Sequence, residues 1–385
     1  MTETMTRRTI QISLPDTGEE EWQACRDPLM SGWLTQGPQV TAFEKQFAQR
    51  HDVDHALAVT SCTTGLHLIL AAMGIGPGDE VIVPAFTWVA TANVVVYCGA
   101  TPVLCDVDTG TYNIDPVDLA RKVTPRTKAV IPVHLFGLCA DMDAIRAVLP
   151  PHVKIIEDAA CAAGASYGNI PAGGLGDAAA FSFHPRKSIT TGEGGMVTTN
   201  DGDLAEVANM LRNHGASISE EQRHHGPRPY LLPEFNLLGF NYRMTDLQGA
   251  VGSVQLGKLD RFIDERQGWA DFYCEQLSGL DWLRMPPRPQ NGRHAWQAFV
   301  TYVDPDMAPY ARNEIMEQLQ ARGIATRPGT HAVHMLGLYA DRYQLQPHDF
   351  PGAKSCDENT MAIPLHNRMT DQDYQYVVDA LTTLA

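Results

Sequence analysis

The sequence predicts an α/β protein of two lobes, a large domain over residues 1–250 and a smaller α+β domain over 251–385. Three observations carry that reading. Short β-branched runs alternate with helical patterns from about Val53 to Asn200, the mark of strands joined by crossover helices. Those strands read as apolar on both faces, as in a mostly parallel sheet covered on each side. Near Thr245 a long proline-free stretch begins and leads into a segment of different character.

Along the chain, HALAVT, DEVIVPAF, ATPVLCDVD, TKAVIPVHLF, VKIIEDAA and GGMVTTND read as strands. TGLHLILAAMG, PVDLARKV, DMDAIRAVL and GDLAEVANMLRNHG read as the helices between them. Val81 to Leu104 carries no charge, yet Pro84, Asn93, Gly99 and Pro102 interrupt it, so it parses as strand end, buried helix and next strand. Glu220 to Glu234, rich in proline and charge, is expected to be a loop. TDLQGAVGSVQLGKLDRFIDERQGWADFYCEQL reads as one helix bridging the lobes, followed by a strand over HAWQAFVTYVD and helices over ARNEIMEQLQARG and TDQDYQYVVDALTTL. No internal repeat interrupts this order.

With 385 residues, 44% of them apolar, the chain can bury a large core. Its formal charge of −16 repels nucleic acid and anionic lipid, so neither is an expected partner and any phosphate must be held locally. Eight scattered cysteines without a CxxC, and an N-terminus lacking an apolar signal segment, read as reduced buried thiols of a cytoplasmic enzyme. The pairs His331/His334 and His224/His225 fit no metal-site spacing, so no metal is expected. A phosphate loop needs its lysine after the last glycine, whereas Lys187 precedes Gly192, Gly194 and Gly195. The chain also lacks GxGxxG after the first strand and any GxSxG.

The chemistry centres on Lys187, in SFHPRKSITTGEGG, and on Asp158, which closes the strand-like KIIED. An acid at the C-terminal edge of a buried strand and a lysine in a glycine-rich loop are the two groups pyridoxal phosphate (PLP) needs: a counterion for its ring nitrogen and an amine for a Schiff base. Asp158 also suits a helix N-cap for AACAAGA, and both roles can hold at once. Ser61-Cys62-Thr63-Thr64-Gly65 opens an apolar helix and presents hydroxyls and free amides to a phosphate. Simple N-capping accounts for the same residues without a ligand.

Several motifs in order are similar to those of the DegT/StrS family of PLP-dependent sugar aminotransferases, within the aspartate-aminotransferase-like fold type I enzymes. They are GWLTQGPQVTAFEKQFA, PAFTWVATANVVVYCGATPVLCDVD, IEDAACAAGA, FSFHPRKSITTGEGGMV, GFNYRMTDLQGAVG and IPLHNRMTDQD, which together cover almost the whole chain. The resemblance implies a mostly parallel seven-stranded sheet between helices. It makes Lys187 the Schiff-base lysine and Asp158 the partner of the pyridine nitrogen. Thr63, the backbone at Thr64, and Ser182 fall at phosphate-binding positions, and Trp88 falls where an aromatic stacks on the cofactor ring. Taken alone, Trp88 reads equally as a core tryptophan. Asn241 matches a residue that reaches the phosphate from the neighbouring subunit, which implies a homodimer with shared active sites; by itself it is a turn residue. Arg243 is placed to meet a substrate diphosphate.

One departure stands out. Where the family commonly has Gln or His to bond the cofactor's phenolic oxygen, this chain has Cys161, which reads as a small buried filler because a thiol donates weakly. HPRK and RPGTHAVHMLGLY look similar to the perosamine-synthase-like branch. The expected reaction is therefore amino transfer from L-glutamate to a nucleotide-linked keto sugar, a 4-keto-6-deoxyhexose, cycling the cofactor between PLP and pyridoxamine phosphate (PMP). Sugar 3-dehydratases of the family carry histidine in place of the lysine, so Lys187 argues against that activity. Aminocyclitol or aminobenzoate-type relatives, and a non-catalytic regulatory protein of the same fold, remain as alternatives.

Overall fold

In the computed structural model, which describes residues 9–218, 223–224 and 226–384, the runs read as strands pair side by side. The central sheet contains β1 (His55–Val59), β2 (Glu80–Pro84), β3 (Thr101–Cys105), β4 (Thr127–Val130), β5 (Lys154–Asp158), β6 (Ala178–Ser182) and β7 (Gly195–Thr199). Their order is β1-β7-β6-β5-β4-β2-β3. Strands β3, β2, β4, β5 and β6 are mutually parallel, while β7 runs antiparallel to both β6 and β1. The expected α/β fold with a mostly parallel sheet is present.

Because side chains alternate across a strand, each strand feeds two cores. Val81, Val83, Ala129, Ile156, Ala180 and Val197 pack with the helix Cys62–Ala72 on one face. Ile82, Val130, Ile155, Ala179 and Met196 pack on the other, against Phe43 and Phe47 of the helix Pro38–His51 and Leu259 and Ile263 of the helix Asp246–Gln276. That last helix runs 31 residues from a Thr245–Gln248 capping box. Its first residue, Asp246, is buried and accepts the Gln39 and Val40 amides at 3.2 and 3.0 Å, capping the neighbouring helix Pro38–His51.

The same alternation sends Glu157 and Asp158 to opposite faces. Glu157 is fully buried, where an unsatisfied carboxylate would be costly. It accepts the Gly173, Leu175 and Gly176 amides, each at 2.7 Å, and meets His134 Nε2 at 2.9 Å. The Ala140 amide donates to His134 Nδ1 at 3.1 Å, which leaves Nε2 to carry the proton toward Glu157.

Beyond the long helix, Leu283–Arg284, Phe299–Val303 and Thr360–Ile363 form an antiparallel three-stranded sheet. Tyr273, Trp296, Phe299, Leu319 and Tyr374 fill the core beneath it. The strand expected over HAWQAFVTYVD begins only at Phe299, because Trp296 takes a left-handed φ of 45° and the Ala295 and Gln297 amides donate to Gly137 and Phe136 carbonyls instead. At the other end of the chain, the Ile10 amide donates to the Gly323 carbonyl at 2.8 Å, so the N-terminal segment is tied to the C-terminal lobe.

All eight cysteines are free, but only Cys62, Cys105, Cys139 and Cys356 are buried. Cys25, Cys98, Cys161 and Cys274 are half-buried, a correction to the expectation of uniformly buried thiols. Of the expected loop Glu220–Glu234, residues 220–222 and His225 lie outside the described residues, and 226–234 runs as turns and bends.

Gly195 pairs with Val59 on one side and Ser182 on the other. A Cβ there would stand 2.5 Å from the Ser61 carbonyl carbon and 2.7 Å from the Cys62 nitrogen. We expect Gly195→Ala to displace the start of the helix Cys62–Ala72 and cost about 1–3 kcal/mol, read as a lower urea midpoint at unchanged slope.

Candidate active site

Asp158 is the last residue of β5 and is buried. Thr91 Oγ1 donates to its Oδ2 at 2.8 Å and the Ala160 amide to its Oδ1 at 3.2 Å. A hydroxyl has one proton to give, so Thr91 in turn accepts from Thr87 Oγ1 at 3.1 Å, forming a short relay into the carboxylate. Thr91 stands in the first turn of the helix Ala90–Tyr97, three residues after Trp88. Trp88 itself is 61% exposed, and its ring centroid lies 5.5 Å from that of His331.

Lys187 follows β6 in a turn closed by its amide on the His184 carbonyl at 2.8 Å. Its Nζ donates to Cys161 Sγ at 3.2 Å. Cys161 is thus half-buried and in contact with the lysine, not an inert filler. The Cys62 thiol joins the two halves of the site. Its Sγ is 3.8 Å from Asp158 Oδ1, and burial, then the neighbouring Asp158 charge, push its pKa well up, so it stays a thiol.

The third part is the N-terminus of the helix Cys62–Ala72. Ser61 Oγ accepts the Thr64 amide at 3.1 Å, while Thr64 Oγ1 accepts the Ser61 amide at 3.0 Å. The Thr64 amide is therefore engaged by the cap, while those of Cys62 and Thr63 belong to the first turn, where no intrahelical acceptor exists. Ser182 sits two strands from Val59, across the side-chain-free Gly195. Together these elements bring Asp158, Cys161, Lys187, Thr63, Thr64 and Ser182 to one end of the sheet.

Asn241 lies elsewhere. It is exposed, bridges to Asn213 at the end of the helix Gly202–Arg212, and makes no hydrogen bond to Lys187 or Asp158 among the described residues. Arg243 Nη1 donates to Asn213 Oδ1 at 2.8 Å. Sequence reasoning missed Thr91, whose only trace was its one-turn spacing from Trp88.

Residues 15–382 match the DegT/DnrJ/EryC1/StrS aminotransferase family. The chain belongs to that family. It is 42% identical over 374 residues to the spore coat polysaccharide biosynthesis protein SpsC of Bacillus subtilis (strain 168), covering 97% of this chain and 96% of that one. It is 40% identical over 375 residues to the GDP-perosamine synthase of Caulobacter vibrioides, covering 97% of each. Among solved structures, the putative sugar aminotransferase Spr1654 from Streptococcus pneumoniae in its PMP-form superposes with a TM-score of 0.91 at 27% identity, covering 98% of this chain and 99% of that one.

As a member of this family the chain is a PLP-dependent aminotransferase. Its own residues fit that cofactor: a buried carboxylate for the ring nitrogen, a lysine amine against Cys161 at the same end of the sheet, and helix-terminal amides for the phosphate. We expect Thr91→Val, which keeps the shape but removes the proton given to Asp158, to cost about 1.5–3 kcal/mol in the cofactor-free protein, measured by urea denaturation.

Proposed function

We propose that this enzyme moves an amino group from L-glutamate onto a nucleotide-linked keto sugar, a 4-keto-6-deoxyhexose carried on GDP or dTDP. The observation that carries the proposal is the 40% identity with GDP-perosamine synthase over 97% of both chains. PLP, when bound, supplies an aldehyde that takes up the amino group and a ring that draws electrons from the carbon losing its proton.

The protein's own residues do the rest. Lys187 Nζ anchors the cofactor and, once released as a free amine, moves the proton at the substrate carbon. Asp158, held by Thr91 and the Ala160 amide, keeps the ring nitrogen protonated. Trp88 shields one face of the ring from water. Thr63, the backbone at Thr64, and Ser182 hold the phosphate, the Thr64 amide exchanging its Ser61 partner for the anion, while Cys161 packs beside the lysine.

The reading includes a homodimer in which Asn241 serves the second copy's site. Exposed apolar residues support it: Tyr230 at 75%, Leu232 at 81%, Phe235 at 60% and Leu238 at 93% precede Asn241 on one segment. Arg243 is assigned to the substrate diphosphate in that assembly. Eight free cysteines suit a cytoplasmic setting.

Borohydride reduction of the PLP-loaded protein should fix the label on Lys187 by peptide mapping, and a label on another residue would overturn the assignment. Lys187→Ala should stay folded yet lose turnover by about 10⁴-fold, while Asp158→Asn should retain cofactor and turn over at least about 100-fold more slowly. Mass spectrometry of products from a panel of keto-sugar nucleotides with glutamate tests the substrate; no amino sugar from any GDP- or dTDP-linked hexose would refute it.

A further inference from the structure

Cys161 stands just beyond Asp158, in a turn that the Ala162 amide closes on the Ala159 carbonyl at 2.9 Å. Lys187 stands in a second turn, closed by its own amide on the His184 carbonyl at 2.8 Å. Their side chains meet, and Lys187 Nζ donates to Cys161 Sγ at 3.2 Å. Among the described residues, Cys161 is the one cysteine whose sulfur a lysine amine touches.

The other thiols are poorer targets for an oxidant. Burial raises the pKa of Cys25, Cys98 and Cys274, the remaining half-buried cysteines, and so disfavours the reactive thiolate. Cys62 is buried, with its Sγ spent on the Ala180 carbonyl at 3.3 Å and the Asp158 carboxylate at 3.8 Å. Cys161 is half-buried and already has a nitrogen nucleophile against it.

We propose that Cys161 and Lys187 form a reversible oxidative cross-link, an S–N bond made when a peroxide reaches the site while the lysine amine is free. In the first step the Cys161 sulfur attacks the peroxide: an S–O bond forms, the O–O bond breaks and water leaves, the sulfur losing two electrons to the peroxide. In the second, Lys187 Nζ attacks that sulfur: the S–N bond forms, the S–O bond breaks and the hydroxyl departs with an amine proton as water. One thiol, one amine and one hydrogen peroxide thus give one sulfenamide and two waters. Because both residues sit on closed turns and already touch, this capture needs little ordering and forestalls irreversible oxidation of the sulfur to sulfinic acid. Two equivalents of an external thiol break the S–N bond and restore both side chains, leaving as a disulfide.

The cross-link takes away the amine that turnover needs, so it switches the enzyme off. While Lys187 is bonded to PLP its nitrogen is occupied, and the site closes only in the cofactor-free and PMP forms. That dependence on cofactor state rests on the aminotransferase reading; the cross-link itself rests on the contact alone.

The test treats the cofactor-free, PMP and PLP-loaded forms with hydrogen peroxide and maps peptides without reduction. The cofactor-free and PMP forms should lose about 2 Da and yield a linked peptide joining Cys161 to Lys187, removed by dithiothreitol, and the PLP-loaded form should yield at least about tenfold less. In cofactor-free Lys187→Ala, Cys161 should instead gain about 32 Da as sulfinic acid. Cofactor-free wild type in which Cys161 stays a thiol, passes to sulfinic acid without a linked peptide, or joins Cys62 as a disulfide would overturn the proposal. Equal cross-linking in the PLP-loaded form would leave the S–N bond standing and sink Lys187 as the cofactor's anchor.

Discussion

The placement of the site depends on the buried carboxylate of Glu157. Three amides from the loop after β5 and one imidazole converge on it, so the strand end and the chain that follows are held as one unit. With that end fixed, strand alternation leaves the next side chain, Asp158, no choice but the opposite face. There it meets Thr91 and the helix that opens at Cys62. One carboxylate is used to build, and its neighbour faces Thr91 and the Cys62 thiol.

Much of this was legible in the sequence, and the limits are instructive. Six of the seven strands of the large sheet are short apolar runs with β-branched residues and were legible as such, whereas the alanine-rich β6 (Ala178–Ser182) carries no such signal and was not read as a strand. Lys187 and Asp158 were recognisable because each closes a local pattern, a strand end or a glycine-rich loop. Thr91 was not: a threonine in a helical first turn looks like any cap, and only the crossover between β2 and β3 carries it to Asp158. The late start of the strand at Phe299 was hidden for the same reason, since carbonyls near Gly137 compete for the Ala295 and Gln297 amides.

Charge is distributed at two scales. Overall the chain is strongly acidic, which gives anions no long-range attraction at physiological salt, where fields fade over about 8 Å. At the turn after β6, the adjacent Arg186 and Lys187 reverse the sign locally, while burial lowers the pKa of His184. A nucleic acid would have to bring its whole charged backbone near that acidic surface.

The 31-residue helix Asp246–Gln276 packs at its start against Pro38–His51 under the large sheet and at its end supplies Tyr273 to the C-terminal core. A continuous rod of about 46 Å can curve gently but does not kink sharply while its own ladder of hydrogen bonds is intact. The large sheet and the C-terminal three-stranded sheet are therefore tied to one splint, which resists a swing of one against the other.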